Sequence, residues 1–317
     1  MSLYAVVLLF FLGLGLIIKG GDWFLDGAVW IAEATGVPRF IVGATVVSIA
    51  TTLPELTVSI TGVLEGEVDL AVGNAVGSVT ANIGLILGIS VLCIPSAVSK
   101  KQFDVKAFLM LSAVALLTIL CRSGSLALLP GLLLFVIFAL YLFSNIRDAR
   151  SSVASRREKH SRRYFSRRHA AKKLVSFALG ITGIIVGSQL LIGHGSALAV
   201  HLGVPSSIIG VTLVAVGTSL PELVTTVTAI AKKEASMSVG NIIGANVIDL
   251  TLILPICAAL SGGSLFINHQ TLALDLPASL TVAVVALFPP LFKGRFYRWQ
   301  GVALLGLYTG YLILLIT

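Results

Sequence analysis

Two short stretches of this 317-residue chain could do chemistry, and they are almost the same stretch. Residues 51–56 read TTLPEL and residues 218–223 read TSLPEL. Each sets hydroxyls, a proline and a carboxylate in a row: Thr51, Thr52, Pro54 and Glu55 in one, Thr218, Ser219, Pro221 and Glu222 in the other. Proline has no N–H and clashes with the preceding turn. Carbonyls near Ser48–Thr51, and near Ala215–Thr218, should therefore lose their helical partners. In apolar surroundings something else must satisfy them, and a cation can. The glutamate and the nearby hydroxyls complete an all-oxygen shell, the kind that Ca²⁺ and Na⁺ take.

A second paired motif follows each of these. GNAVGS at 73–78 is followed by Asn82, and GNIIGA at 240–245 by Asp249. Ser78 and Asn82 are one helical turn apart and share a face, and Ala245 and Asp249 occupy the corresponding face. Asn82 and Asp249 fall in the middle of apolar runs, where intramembrane polar groups mostly line pathways. For Asn74 and Asn241, helix capping and a functional role stay open. The glycines are read as packing residues that let helices approach closely.

Elements able to hold such groups are membrane spans. The chain is 56% hydrophobic and only 11% charged, where a soluble domain carries roughly 25% charged residues. Apolar runs of about 20 residues are long enough to cross the bilayer as helices. Ten spans are expected, near 2–19, 37–64, 68–95, 104–121, 125–146, 173–193, 203–231, 236–261, 270–292 and 299–317. The first has no basic residue before its apolar run, with Lys19 after it, the reverse of a cleaved signal peptide. Basic residues then fix the orientation. Arg147, Arg150, Arg156, Arg157, Lys159, Arg162, Arg163, Arg167, Arg168, Lys172 and Lys173 crowd one connection, which should be cytoplasmic. Alternation places Lys19, Arg39, Lys100, Lys101, Lys106, Lys232, Lys233, Lys293, Arg295 and Arg298 on the same side. Glu65, Glu67, Asp69, His194 and His201 fall outside, with Arg122 the one exception, and both termini face outward. The net charge of +8 is thus a topology signal and not a nucleic-acid surface. Cys93, Cys121 and Cys257 lie in or at the ends of apolar runs and read as packing residues.

Sliding the chain along itself until Glu55 meets Glu222 also aligns Gly36-Val37-Pro38 with Gly203-Val204-Pro205, and Gly73-Asn74 with Gly240-Asn241. No gap is needed. An apolar background accounts for matched Leu, Ile and Val, but not for matched Pro, Glu, Asn and Gly. The offset covers five spans, an odd number, so the second copy enters the membrane upside down. Inverted repeats of this kind mark secondary transporters, with the binding site near the midplane at the repeat interface. The expected fold is an all-α membrane protein of ten transmembrane helices in two inverted five-helix repeats. Residues 1–146 form the first repeat, 147–172 a basic cytoplasmic linker and 173–317 the second repeat.

The stretches GATVVSIATTLPEL with GNAVGSVTANIG, and GVTLVAVGTSLPEL with GNIIGANVIDLT, resemble the two α-repeats of the sodium/calcium exchanger family, within the calcium/cation antiporter superfamily. The resemblance extends to the ten-span layout and so to nearly the whole chain. It implies that Glu55 and Glu222 bridge the central ions and that Asn82 and Asp249 complete the middle of the site. It further implies oxygens from Thr51, Thr52, Thr218, Ser219 and Ser78, and carbonyl ligands at Ser48 and Ala215 towards the two sides. Two departures stand out. Ala245 replaces a common serine, which removes a hydroxyl from one sodium position, and Ala50 replaces a common glycine.

Charge alone suggests a mechanism. Glu55, Glu222 and Asp249, ionised, are left with one net negative charge by Ca²⁺ and neutralised by about three monovalent cations. The two ions compete for the same oxygens, which gives antiport by exclusion. The first span of each half, 2–19 and 173–193, lacks site residues and is expected to be the mobile gate, partly on the family resemblance. A H⁺/Ca²⁺ exchanger and a potassium-dependent Na⁺/Ca²⁺ exchanger are the alternatives. A channel fits the inverted repeats less well. The chain carries no HExxH or GxSxG motif and is not expected to be an enzyme. Its expected partners are the bilayer of the cell membrane and the transported Ca²⁺ and Na⁺, with no organic cofactor, no nucleic acid and a monomeric state.

Overall fold

The computed structural model describes residues 3–159, 167–201 and 217–316. Almost all of them are helical. In chain order the helices are α1 (Leu3–Thr35), α2 (Arg39–Thr51), α3 (Leu53–Leu64), α4 (Val68–Cys93), α5 (Lys100–Leu120), α6 (Leu128–Lys159), α7 (Arg167–His201), α8 (Leu220–Ala231), α9 (Ala235–Leu260), α10 (Thr271–Lys293) and α11 (Arg298–Ile316). Among the described residues, α1, α4, α5, α6, α7, α9 and α10 are long and apolar enough to cross a membrane, and the bent pair α2–α3 makes an eighth crossing if counted as one. Much of the expected span 203–231 lies outside the described residues, and what is described of it is its second part, from Gly217 onward.

Three helices outrun the hydropathy reading. α1 has 33 residues, α6 has 32 and α7 has 35. At 1.5 Å per residue each is about 50 Å long, against about 30 Å of hydrocarbon. The basic segment 147–172 is therefore helical at both ends, because α6 continues to Lys159 and α7 begins at Arg167. In the first turns of α5, Lys106 is fully buried and pairs with Asp148, at the point where α6 passes the expected end of its span.

The helices divide into two packing groups. α1 and α7 lie along one another, in far more extensive contact than either makes with any other helix. Their contact is backbone on backbone: a Cβ on Gly13 would sit 2.9 Å from the Gly187 carbonyl, and one on Gly20 would sit 2.9 Å from that of Gly180. The remaining helices share the large core. It runs through Ala75, Val76, Val79, Ile83, Met110, Ile242, Val247, Leu250 and Leu287, all buried. Within it α9 crosses α2 so closely that a Cβ on Gly43 would run into the Met237 carbonyl, and one on Gly240 into the Phe40 carbonyl. The packing role expected for Gly240 and Gly244 is thus seen directly. Around Gly73 and Gly77 no described atom lies within 4 Å of such a Cβ.

Besides an isolated bridge between Ala97 and Arg295, one short ribbon among the described residues is not helical. Ser125–Ala127 (β1) pairs antiparallel with Ser264–Phe266 (β2), with Leu126 opposite Leu265. This three-residue ribbon joins the connection after α5 to the connection after α9.

Candidate functional site

The two LPE stretches break their helices in the same way. Thr52 leaves the helix at φ −84°, ψ 0°, and Ser219 does so at φ −82°, ψ 6°. A new helix then starts, with Pro54 or Pro221 in its first turn, where a missing N–H costs nothing because that donor has no helical partner anyway. α2 and α3 meet at a 42° bend. Glu55 and Glu222 fall in the first turns of α3 and α8, where the positive end of the helix dipole favours a carboxylate.

The helices that follow contribute widened turns. α4 opens into a π-helical turn at Asn82–Leu87 and α9 into one at Asp249–Ile253. Asn82 and Asp249, equivalent in the repeat, are thus the first residues of equivalent turns. π-Turns inside α-helices are frequent at functional sites. Two further π-turns, at Gly43–Val47 and Thr271–Asp275, lie in α2 and α10.

Glu55, Glu222, Asp249 and Asn82 are all buried. Glu55 lies within electrostatic reach of both Glu222 and Asp249. Every carboxylate oxygen of the three acids, together with Asn82 Oδ1 and Ser219 Oγ, is buried without a hydrogen-bond partner among the described residues. Neither lysine nor arginine pairs with the three acids there. Among the described residues no three His, Cys, Asp or Glu side chains close on one point.

The hydroxyls link the two copies. Thr51 Oγ1 donates to Asn241 Oδ1 at 3.2 Å, and it lies beside Glu222 without hydrogen-bond geometry to it. Ser78 Oγ and Thr218 Oγ1 are 3.3 Å apart. The Ser48 carbonyl, expected to be freed by the proline, is instead well supplied. It accepts from the Thr52 N–H at 2.9 Å and from Thr52 Oγ1 at 2.7 Å, while Thr51 Oγ1, whose one hydrogen goes to Asn241, lies 3.3 Å away. The helix holds its hydrogen bonds up to Thr52, so the break falls later than the proline alone suggests. By directing its hydrogen back to this carbonyl, Thr52 leaves its oxygen lone pairs free. Ala215, the expected counterpart of Ser48, lies outside the described residues. Ala245 is fully buried and presents only a methyl group.

Asn74 and Asn241 do not cap their helices. Asn74 Nδ2 donates to the Glu55 carbonyl at 3.2 Å and to Ser59 Oγ at 2.9 Å, and Asn241 Nδ2 donates to Thr225 Oγ1 at 3.1 Å. Both brace the half-helix that carries the glutamate. Asn246 was not among the residues expected at the site, yet it is fully buried and accepts from Asn82 Nδ2 at 3.1 Å. Its repeat counterpart is Val79, so a search for matched polar residues passes over it.

Phe24 of α1 and Ile181, Ile184 and Ile185 of α7 close on Ala50, Thr51 and Pro221, with no room for a water molecule between them. The glycine-packed pair thus abuts the broken helices at the site.

The sequence model of the family described as "Sodium/calcium exchanger protein" matches residues 5–147 and 172–317. The chain belongs to the sodium/calcium exchanger family. The family match stops where the basic segment begins and resumes where it ends. Among the exchangers of known name, the sodium/calcium exchanger MaX1 of Methanosarcina acetivorans is 29% identical over 345 aligned positions, covering 97% of each chain. An uncharacterized membrane protein of Methanocaldococcus jannaschii is 32% identical, covering 94% of each. The solved structure of the sodium-calcium exchanger NCX_Mj, soaked with Na⁺ and Sr²⁺, superposes with a TM-score of 0.84 at 28% identity, covering 98% of this chain and 99% of that one. The chain is accordingly a multi-pass, all-helical membrane protein of a cation-antiporter family.

Proposed function

We propose that the protein is a Na⁺/Ca²⁺ antiporter with its ion site at the bilayer midplane, between two inverted repeats. The observation that carries this is the set of buried, unpartnered oxygens on Glu55, Glu222, Asp249 and Asn82. Leaving such groups without a partner costs several kcal/mol each, about 2 to 7 for neutral ones and more for charges. A protonated carboxyl group would still need an acceptor, whereas bound cations satisfy such oxygens. Glu55 and Glu222 are assigned the central position, with Asn82 and Asp249 flanking it. Thr51, Thr52, Thr218, Ser219 and Ser78 supply hydroxyl oxygens, and the Ala215 carbonyl serves an ion nearer one surface, whereas the Ser48 carbonyl is taken up by Thr52. NCX_Mj was studied with Na⁺, Ca²⁺ and Sr²⁺, which supports the same cargo here.

The ten-span, five-plus-five reading has support from the connections. Loops that it puts on one side are joined in the structure. On the outer side β1 pairs with β2, and Asn268 Nδ2 donates to Asp69 at 3.2 Å. On the inner side Arg39 pairs with Glu234 at 2.8 Å, Lys232 with Asp26 at 2.7 Å, and Ala97 bridges Arg295. Residues 1–146 and 173–317 are then the two repeats, with 147–172 as a basic linker on the cytoplasmic side and both termini outside the cell membrane. α1 and α7, packed on each other and against Ala50, Thr51 and Pro221, are the mobile gate. The chain acts as a monomer with no organic cofactor.

Proteoliposomes test the cargo. An outward Na⁺ gradient should drive Ca²⁺ uptake, and a pH gradient without Na⁺ should not. Uptake driven by the pH gradient alone would replace Na⁺ with H⁺ as the counter-ion, and dependence on added K⁺ would make the protein a potassium-dependent exchanger. Glu55→Gln and Glu222→Gln should each abolish exchange. A variant that transports normally removes that residue from the site.

A further inference from the structure

The first-copy amide Asn82 stands where the second copy has the carboxylate of Asp249. The two side chains pose different problems. A carboxylate presents oxygen whichever way it turns. An amide presents either its oxygen or its NH₂ group, and only the oxygen can meet a cation. An amide in a cation site therefore needs something to settle which way it faces.

Asn246 is placed to do this. Its Oδ1 accepts from Asn82 Nδ2 at 3.1 Å, and Asn82 Oδ1 is left buried and unpartnered, on the opposite branch of the amide. Asn246 is itself oriented, because its Nδ2 points at Met110 Sδ, 4.0 Å away, which is a weak acceptor. Both side chains are buried, Asn246 at 0% and Asn82 at 1% exposure, so water does not compete.

The repeat supplies an independent observation. The segment of α9 that carries Asn246 packs on the π-turn that begins at Asn82, and the segment of α4 that carries Val79 packs on the π-turn that begins at Asp249. Val79 and Asn246 are equivalent positions. The copy that serves an amide carries an acceptor, and the copy that serves a carboxylate carries valine. The two substitutions between the copies match.

We propose that Asn246 is a positioning residue for cation binding: by accepting from the Asn82 amide nitrogen it turns the Asn82 carbonyl oxygen toward the carboxylates. This rests on the site reading proposed above. Groups that orient metal ligands in this way typically change affinity by about 10- to 100-fold when removed.

The test is Ca²⁺ binding to the purified full-length protein in detergent, read from the Ca²⁺-dependent rise in melting temperature. Asn246→Val should raise half-saturating Ca²⁺ at least about tenfold. Asn246→Asp keeps an accepting oxygen and should bind Ca²⁺ at least as tightly as the unaltered protein. In an Asn82→Asp background no amide needs orienting, so adding Asn246→Val should then have little effect, and the two substitutions should be strongly non-additive. A purely structural role for Asn246 would weaken binding equally in both backgrounds, and that result overturns the proposal. So does an Asn246→Val protein that binds normally, or an Asn246→Asp protein that binds as poorly as Asn246→Val. Glu55→Gln separates the two levels. If it binds Ca²⁺ normally, the site reading itself fails. If it loses binding while Asn246→Val does not, the positioning role alone fails.

Discussion

Gly180→Ala asks whether the α1–α7 pair is fused as tightly as its geometry requires. A methyl group at Gly180 would sit 2.5 Å from the Phe24 backbone nitrogen, and 2.8 Å from both the Gly20 carbonyl oxygen and the Phe24 Cα. All three are backbone atoms, so no side chain can swing away. Ordinary contact begins near 3.4 Å, so α1 and α7 must part by about 0.9 Å, enough to forfeit a quarter to a half of each neighbouring dispersion contact. Overpacking of this kind costs about 1–3 kcal/mol. Against it stands the better helix propensity of alanine, about 0.8–1 kcal/mol. The net expectation is a loss of about 0–2 kcal/mol, and of about 1–3 kcal/mol relative to Gly15→Ala. Gly15 is the control. A Cβ there meets nothing within 4 Å, so Gly15→Ala should be neutral or stabilising. Both variants can be measured by reversible unfolding in mixed micelles. Phe24 also lies in the contact that closes on Thr51, so displacing it should loosen the seal over the proposed ion site. If about 1.4 kcal/mol of the strain falls on the occluded state, exchange slows about tenfold. A Gly180→Ala protein as stable as Gly15→Ala, with unaltered exchange, would refute the close packing and the sealing role together.

Three further outcomes follow from the geometry. Asp148→Asn should destabilise more than Lys106→Met in the same unfolding measurement, because Lys106 is fully buried while Asp148 keeps 15% side-chain exposure. The unpaired charge is the costly one, by about 3–5 kcal/mol. Tyr141→Phe removes the hydroxyl that donates to the Ala44 carbonyl at 2.6 Å, and with it the tie from α6 to the π-turn of α2. It should cost about 1–3 kcal/mol of stability while leaving the ion preference in transport assays unchanged. Asp249→Asn removes one of three site charges, so the dependence of exchange on Na⁺ concentration should become less steep. An unchanged slope would show that the third charge does not take part.

Glu55, Glu222, Asn82 and Asp249 were legible in the sequence because they are duplicated, or nearly so, against an apolar background that explains Leu and Val but not carboxylates. Asn246 was not legible for the same reason. It matters through being unlike its counterpart Val79, and a repeat search rewards likeness. The helical break was legible from Pro54 and Pro221, but its placement was not. Which carbonyl ends unpaired depends on how Thr52 rotates, and its hydroxyl returns to Ser48. The lengths of α1, α6 and α7 were hidden because hydropathy registers the part of a helix that lies in hydrocarbon and is silent on its continuation into water. The β1–β2 ribbon was hidden because three-residue strands carry no period, and their pairing is a matter of which loops meet.

The length of α1 and α7 ties the protein to the sheet of lipid around it. Each is about 50 Å long in a hydrocarbon layer of about 30 Å, and the two are joined along their backbones, with Gly13, Gly20 and Gly27 recurring every two turns on one side of the seam. Such a pair tilts as one rod and bends little. If it shifts when the site changes sides, the apolar length it shows to the lipid changes with it. Mismatch between that length and the bilayer costs a fraction of a kcal/mol per Å. Under the proposed alternating access, bilayer thickness becomes a tuning variable, and thin and thick lipids should weight the two facing states differently.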